Sequence, residues 1–164
     1  MRKEVVNERE LITEAAKVGI ERLVVGALLV RRSKILVLRR KSEEFMGGMF
    51  ELPSGKVEEG ETLKDALKRE VREETGLTLA SVTDTGFCHR YPVRPEWRKW
   101  YGEEPEVIEE HVFYALVEPS AEPVLSTEHK SWRWCSLEEA NHLLTFGANS
   151  MCLQAVERGL AAAA

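Results

Sequence analysis

Residues 55–77 read GKVEEGETLKDALKREVREETGL, and the placing of three carboxylates in that run could do chemistry. At about 100° per residue, Leu63, Ala66 and Leu67 form an apolar stripe, and Glu70, Glu73 and Glu74 continue the same stripe one turn later. Lys64, Asp65, Lys68 and Arg72 supply a polar face on the other side. Like charges converging on an inward face repel one another and are costly to desolvate unless a cation joins them. A hard divalent ion is the simplest remedy, since Mg²⁺ takes a few carboxylates and completes its shell with water and substrate phosphate. The alternative is a solvated Glu/Arg helix held by ion pairs one turn apart. That reading explains neither the flanking glycines nor the facing of the glutamates.

The elements that must hold these groups follow from the flanks. Thr62 with Asp65 three residues on makes a capping box, and Gly76 suits the left-handed closing residue, so the helix is expected over 63–75. Upstream, Phe50-Glu51-Leu52-Pro53-Ser54-Gly55 reads as a short extended segment entering a glycine turn, which would bring backbone carbonyls to the acidic face.

The spacing then resembles the signature of the Nudix hydrolases. A glycine, five residues, a glutamate, seven residues, Arg-Glu, an aliphatic, one residue, Glu-Glu, one residue, a glycine and an aliphatic are filled by Gly55, Glu61, Arg69, Glu70, Val71, Glu73, Glu74, Gly76 and Leu77. The resemblance implies an α/β fold, a mixed sheet sandwiched between helices, and hydrolysis of a pyrophosphate bond in a nucleoside diphosphate linked to another group. It implies Glu70, Glu73 and Glu74 as ligands of Mg²⁺ or Mn²⁺, with the Gly55 carbonyl as a further ligand. Arg69 would orient the carboxylates, and Glu61 would serve the same network. The general base is open among Glu70, Glu74 and Glu128. The last lies in Ser126-Thr127-Glu128-His129, which resembles the loop before the last helices of bacterial Nudix enzymes acting on nucleoside or pterin triphosphates, where the glutamate faces the metal.

Substrate recognition must come from outside the signature. Arg39, Arg40 and Lys41 end a strand near the signature loop, where one of them could contact phosphate; a solvated strand end is the alternative. Residues 89–101 are basic and aromatic, and His89, Arg90, Tyr91, Trp97 and Trp100 have the composition that stacks a base and pairs with phosphate. Their prolines, with Gly102 just after, predict a loop, with core cover or a homodimer contact as the alternative use of the tryptophans. A (deoxy)nucleoside or dihydroneopterin triphosphate ranks first as substrate. Dinucleoside polyphosphate, RNA 5′ ends and ADP-ribose come next, the last through Pro92, and a Nudix domain that only binds nucleotide is the non-enzymatic reading.

With 164 residues, 43% of them hydrophobic, the chain suffices for one domain, expected over 21–160 behind an N-terminal helical segment at 1–20. A net charge of −5 argues against a broad nucleic-acid or acidic-membrane surface. No apolar signal region follows Met1-Arg2-Lys3-Glu4, and the longest apolar run, 23–30, is too short to span a membrane, so a cytoplasmic chain is expected. Cys88, Cys135 and Cys152 are far apart and read as buried free thiols.

Periodicity supplies the remaining elements. An amphipathic helix is expected over 8–18, and a hairpin of strands at 23–31 and 34–40 about a turn at Arg32-Ser33. Strands are expected within 77–91 and 107–118. A helix capped by Ser136 with Glu139 follows, and then another near 150–157.

Overall fold

The computed structural model describes residues 22–41, 47–93, 95 and 107–144. The expected helices at 8–18 and 150–157, the side chain of His89, and Trp97, Trp100 and Cys152 lie outside the described residues.

Strands β1 (Arg22–Arg31) and β2 (Lys34–Arg40) form the hairpin, paired at Val30 with Ile35 and Arg31 with Lys34. Both turn residues take positive φ, 48° at Arg32 and 65° at Ser33, as a two-residue turn matched to strand twist requires. Two short strands follow, β3 (Phe50–Glu51) on β2 and β4 (Ser54–Lys56) on β1. Gly55 therefore lies within a strand opposite Val25, and not in the expected turn. Helix α1 (Leu63–Thr75) comes next, followed by β5 (Thr83–Pro92), β6 (Val107–Leu116), β7 (His129–Cys135) and α2 (Leu137–Leu143).

Among the described residues one seven-stranded mixed sheet results, with the path β3-β2-β1-β6-β5, β4 attached to β1 and β7 to β2. β1 and β6 run parallel at its centre, and the other pairs are antiparallel. The long apolar run of β1 follows from this position, since a central strand is covered on both faces. Leu23, Val25, Ala27 and Leu29 pack with Leu63, Ala66, Leu67 and Val71 of α1, whereas Leu28 and Val30 pack with Ala140 of α2 and with Leu144. Each such side chain contributes about 1.5–3 kcal/mol on full burial. Ser136 and Glu139 form the complete capping box that starts α2.

Two expectations are corrected by the sheet. His89, Arg90 and Tyr91 belong to β5 and not to a loop, because they find register partners in Glu110, Glu109 and Ile108 of β6. Of the cysteines, Cys135 is buried but Cys88 is exposed, since β5 is the last strand on the sheet path.

Candidate active site

Local chemistry sets the ends of α1. Thr62 Oγ1 accepts the Asp65 N–H at 3.1 Å, and Gly76, at φ 70°, closes the helix by donating its N–H to Arg72 O. Carbonyls left over at the last turn are met from a distant loop: Val124 N–H donates to Thr75 O and Ser126 N–H to Glu74 O. That docking carries the segment bearing Glu128 to the acidic face. Lys41 N–H donates to Glu128 O at 3.1 Å, fixing the segment against the end of β2.

The three glutamates are not equivalent. Glu74 is 4% exposed and accepts Ser54 N–H at 3.2 Å through Oε2. The Glu70 side chain is 15% exposed, whereas that of Glu73 is 57% exposed at the rim. Expecting all three to face inward was therefore too strong, because the sheet covers the arc centred on Leu67 and Glu74 and leaves Glu73 just outside. Gly55 explains how Glu70 reaches its place. A Cβ at that position would overlap the Glu70 carboxylate, so only glycine lets the carboxylate lie against the β4 backbone.

Arg69 ties the cluster to its frame. Its Nε and Nη2 donate to the two oxygens of Glu61 at 2.8 and 2.9 Å, Nη2 also donates to Lys56 O at 2.9 Å, and Nη1 donates to Glu70 at 2.8 Å and Glu73 at 3.3 Å. The Arg69 hydrogen bonds hold the Glu61 carboxyl below its ordinary value despite burial, and Glu58 N–H, donating at 2.8 Å, adds to this. Burial, with Glu73 and Glu128 adding repulsion, pushes the Glu70 carboxyl up against the pull of Arg69. Burial also pushes Glu74 well up, helped by Glu51 and Glu70 and opposed by Ser54 N–H and Arg40. Buried Glu74 and half-buried Glu70, whose charged forms burial disfavours, lie against a backbone cradle beside Glu73, and their hard oxygens suit a hard divalent cation.

Of the expected substrate contacts, Arg40 turns inward. Its side chain is 12% exposed and its Nε lies 2.8 Å from Glu51 Oε1. Burial opposes the Arg40 charge, but Glu51, with Glu74 and Glu128 behind it, outweighs burial and holds the guanidinium protonated. Arg39 instead donates to Gly48 O and stacks over Phe50. Arg90 is drawn away to Glu109 of β6 at 2.7 Å, so it does not join Arg40. Glu51 and His129 were missed by the sequence reading, although His129 Nε2 lies 2.8 Å from Glu51 Oε1 and the imidazole is fully buried. A lone acid between Phe50 and Leu52 was the available signal for Glu51. His129 gave none, because its partner is 78 positions away.

The structure thus sets an arginine-framed glutamate helix against a glycine strand in a mixed sheet covered by helices. The NUDIX domain family matches residues 21–151, and the chain belongs to that family. It is 33% identical over 118 residues to the CTP pyrophosphohydrolase of Escherichia coli K12, an overlap covering 71% of this chain and 77% of that protein. It is also 32% identical over 116 residues to an octanoyltransferase of Myxococcus xanthus, covering 70% of this chain but only 29% of that longer protein. Among solved structures, the dihydroneopterin triphosphate pyrophosphohydrolase of E. coli superposes with a TM-score of 0.68 over 80% of this chain and 92% of the other. Their identity is 21%, so this likeness carries the fold alone.

Proposed function

We propose that the protein is a Mg²⁺- or Mn²⁺-dependent pyrophosphohydrolase that cleaves a (deoxy)nucleoside or dihydroneopterin triphosphate, releasing pyrophosphate. The observation that carries the reading is the packing of buried Glu74 and half-buried Glu70 against the Ser54-Gly55 backbone with their carboxyls pushed up, an arrangement that a divalent cation relieves. Likeness to a CTP pyrophosphohydrolase over most of the chain supports a triphosphate substrate.

Glu70, Glu73 and Glu74, with the Gly55 carbonyl, would hold the ion, and Glu128 would face it from the loop. When bound, it supplies a lowered pKa for an attacking water and a clamp on phosphate oxygens. Arg69 keeps Glu70 and Glu73 in fixed orientation through its fork on Glu61, so the ligand set is in place before substrate arrives. Glu70 and Glu74 are committed to Arg69 and Ser54 N–H, whereas Glu128 stands exposed on its loop. Glu128 is therefore assigned as the base that takes the water proton. Arg40, held charged beside Glu74, offsets negative charge at the same end of the cleft.

The test is incubation with Mg²⁺ and a panel of nucleoside and dihydroneopterin triphosphates, dinucleoside polyphosphates, ADP-ribose and triphosphorylated RNA, with product identification. Pyrophosphate and a monophosphate are expected from a triphosphate. Preferred cleavage of another panel member would replace the substrate assignment, and metal-independent turnover or none would overturn the reaction. Among the described residues no helix is long and apolar enough to cross a membrane.

A further inference from the structure

On the sheet face that carries α1, three side chains of β5 and β6 meet outside the glutamate cluster. Cys88 and His111 are register partners, and Glu109 lies two residues before His111 on the same face. Cys88 Sγ is 3.6 Å from His111 Nε2, which is 2.9 Å from Glu109 Oε2, and the three donor atoms all lie within 4.8 Å of one another. One ring nitrogen thus faces two partners. If Nε2 carries a hydrogen for Glu109, it cannot accept from the Cys88 thiol; if it is bare, its lone pair faces the carboxylate. A cation at the point where the three lone pairs converge satisfies all of them.

We propose that Cys88 Sγ, His111 Nε2 and Glu109 Oε2 form a second metal site that takes a divalent ion of the zinc class. A tetrahedral ion with bonds of about 2.3 Å to sulfur and about 2.0 Å to nitrogen sets those two ligands about 3.5 Å apart, close to the 3.6 Å between Cys88 and His111. The nitrogen to carboxylate edge must open by about 0.5 Å to match. Arg90 Nε donates to the other oxygen of Glu109 at 2.7 Å, which orients the carboxylate as an outer partner orients a ligand. One thiolate with an imidazole and a carboxylate favours zinc over magnesium or calcium. Glu109 and His111 are buried but Cys88 is exposed, which gives the ion a way in and leaves the fourth position to water. Binding sends the Cys88 thiol proton to solvent.

The site is separate from the glutamates. Cys88, His111, Val25 and Gly55 are successive register partners across β5, β6, β1 and β4. Three strand spacings, about 14 Å, separate the two ends of that row. An ion there would clip the edge strand β5 to β6.

Titration of the metal-free full chain with Co²⁺ tests the proposal, because only a thiolate ligand produces the near-ultraviolet sulfur-to-cobalt charge-transfer band. The band is expected in the wild type, in Glu73→Gln and in variants lacking Cys135 or Cys152, and lost in Cys88→Ser. Its absence from the wild type, or its persistence in Cys88→Ser, overturns the site. Independently of any variant, saturating Zn²⁺ should slow alkylation of Cys88 in the wild type by about tenfold or more. Unchanged labelling overturns the site equally.

Discussion

Glu74 and Glu109 are both buried carboxylates, 4% and 3% exposed, on the same face of one sheet, yet their acidities move in opposite directions. Burial pushes both up. Around Glu109 it is outweighed by His111 at 2.9 Å and Arg90 at 2.7 Å, which hold its carboxyl below the ordinary value. Glu74 has one backbone N–H, two neighbouring acids, and Arg40 already engaged by Glu51, so its carboxyl stays well above. Burial by itself therefore does not set acidity: the partners around the carboxylate do, and the under-compensated one is the one a hard cation relieves most.

The contrast is broken most directly by Glu74→Gln. It should lower kcat by at least about 10²-fold with Mg²⁺, since a metal ligand is lost. The metal-free melting temperature should hold or rise, because an uncompensated buried charge goes with it. Activity near that of the wild type would remove Glu74 from the catalytic metal set. Gly55→Ala comes next. The new Cβ must displace the Glu70 carboxylate, and misplacement of about 1 Å is expected to cost about 10²-fold in rate, read from steady-state kinetics with the fold checked by circular dichroism.

The sign of the contrast is readable by pH in chelated protein. Glu74 has a raised folded value, so its contribution to stability is present below the ordinary carboxylate value of 4.5 and is lost as pH rises through the folded value. Glu109 has a lowered folded value, so its contribution is present above 4.5 and is lost as pH falls through the folded value. The melting temperature of the wild type relative to Glu74→Gln should thus drop on raising pH, as wild type loses stability that the variant keeps, and that of the wild type relative to Glu109→Gln should drop on acidification. Parallel trends would remove the distinction. The smallest effect is expected of Arg90→Ala, which moves Glu109 towards the situation of Glu74. Arg90 is more than half exposed and screened by solvent, so the loss should be about 1 kcal/mol by denaturant titration.

Legibility followed the range of the interactions. Helix α1 was readable to the residue because Thr62 and Gly76 act on their immediate neighbours, and the β1–β2 hairpin because two apolar runs flank a two-residue turn. The spacing of Glu61, Arg69, Glu70 and Glu73 brings them within reach of one another along eight to twelve positions of helix and cap, and Arg69 does touch all three glutamates. Glu51 and His129 were invisible, since each matters only through a strand pairing that joins β2 to both β3 and β7. The extension of β5 through His89 to Pro92 was likewise hidden, because β6 supplies its hydrogen bonds.

By itself, then, the sequence determined that glutamates at signature spacing would share a helix with an arginine and stand near a glycine, because helix period and end caps are local properties of the chain. Tertiary structure alone decided which glutamate is buried, which touches β4 and which stays in water, because the sheet covers only part of the helix circumference. It also decided that Gly55 is needed for room and not for a turn, and that Cys88 meets His111 and Glu109. Those outcomes depend on register between strands distant in sequence, which no local pattern encodes.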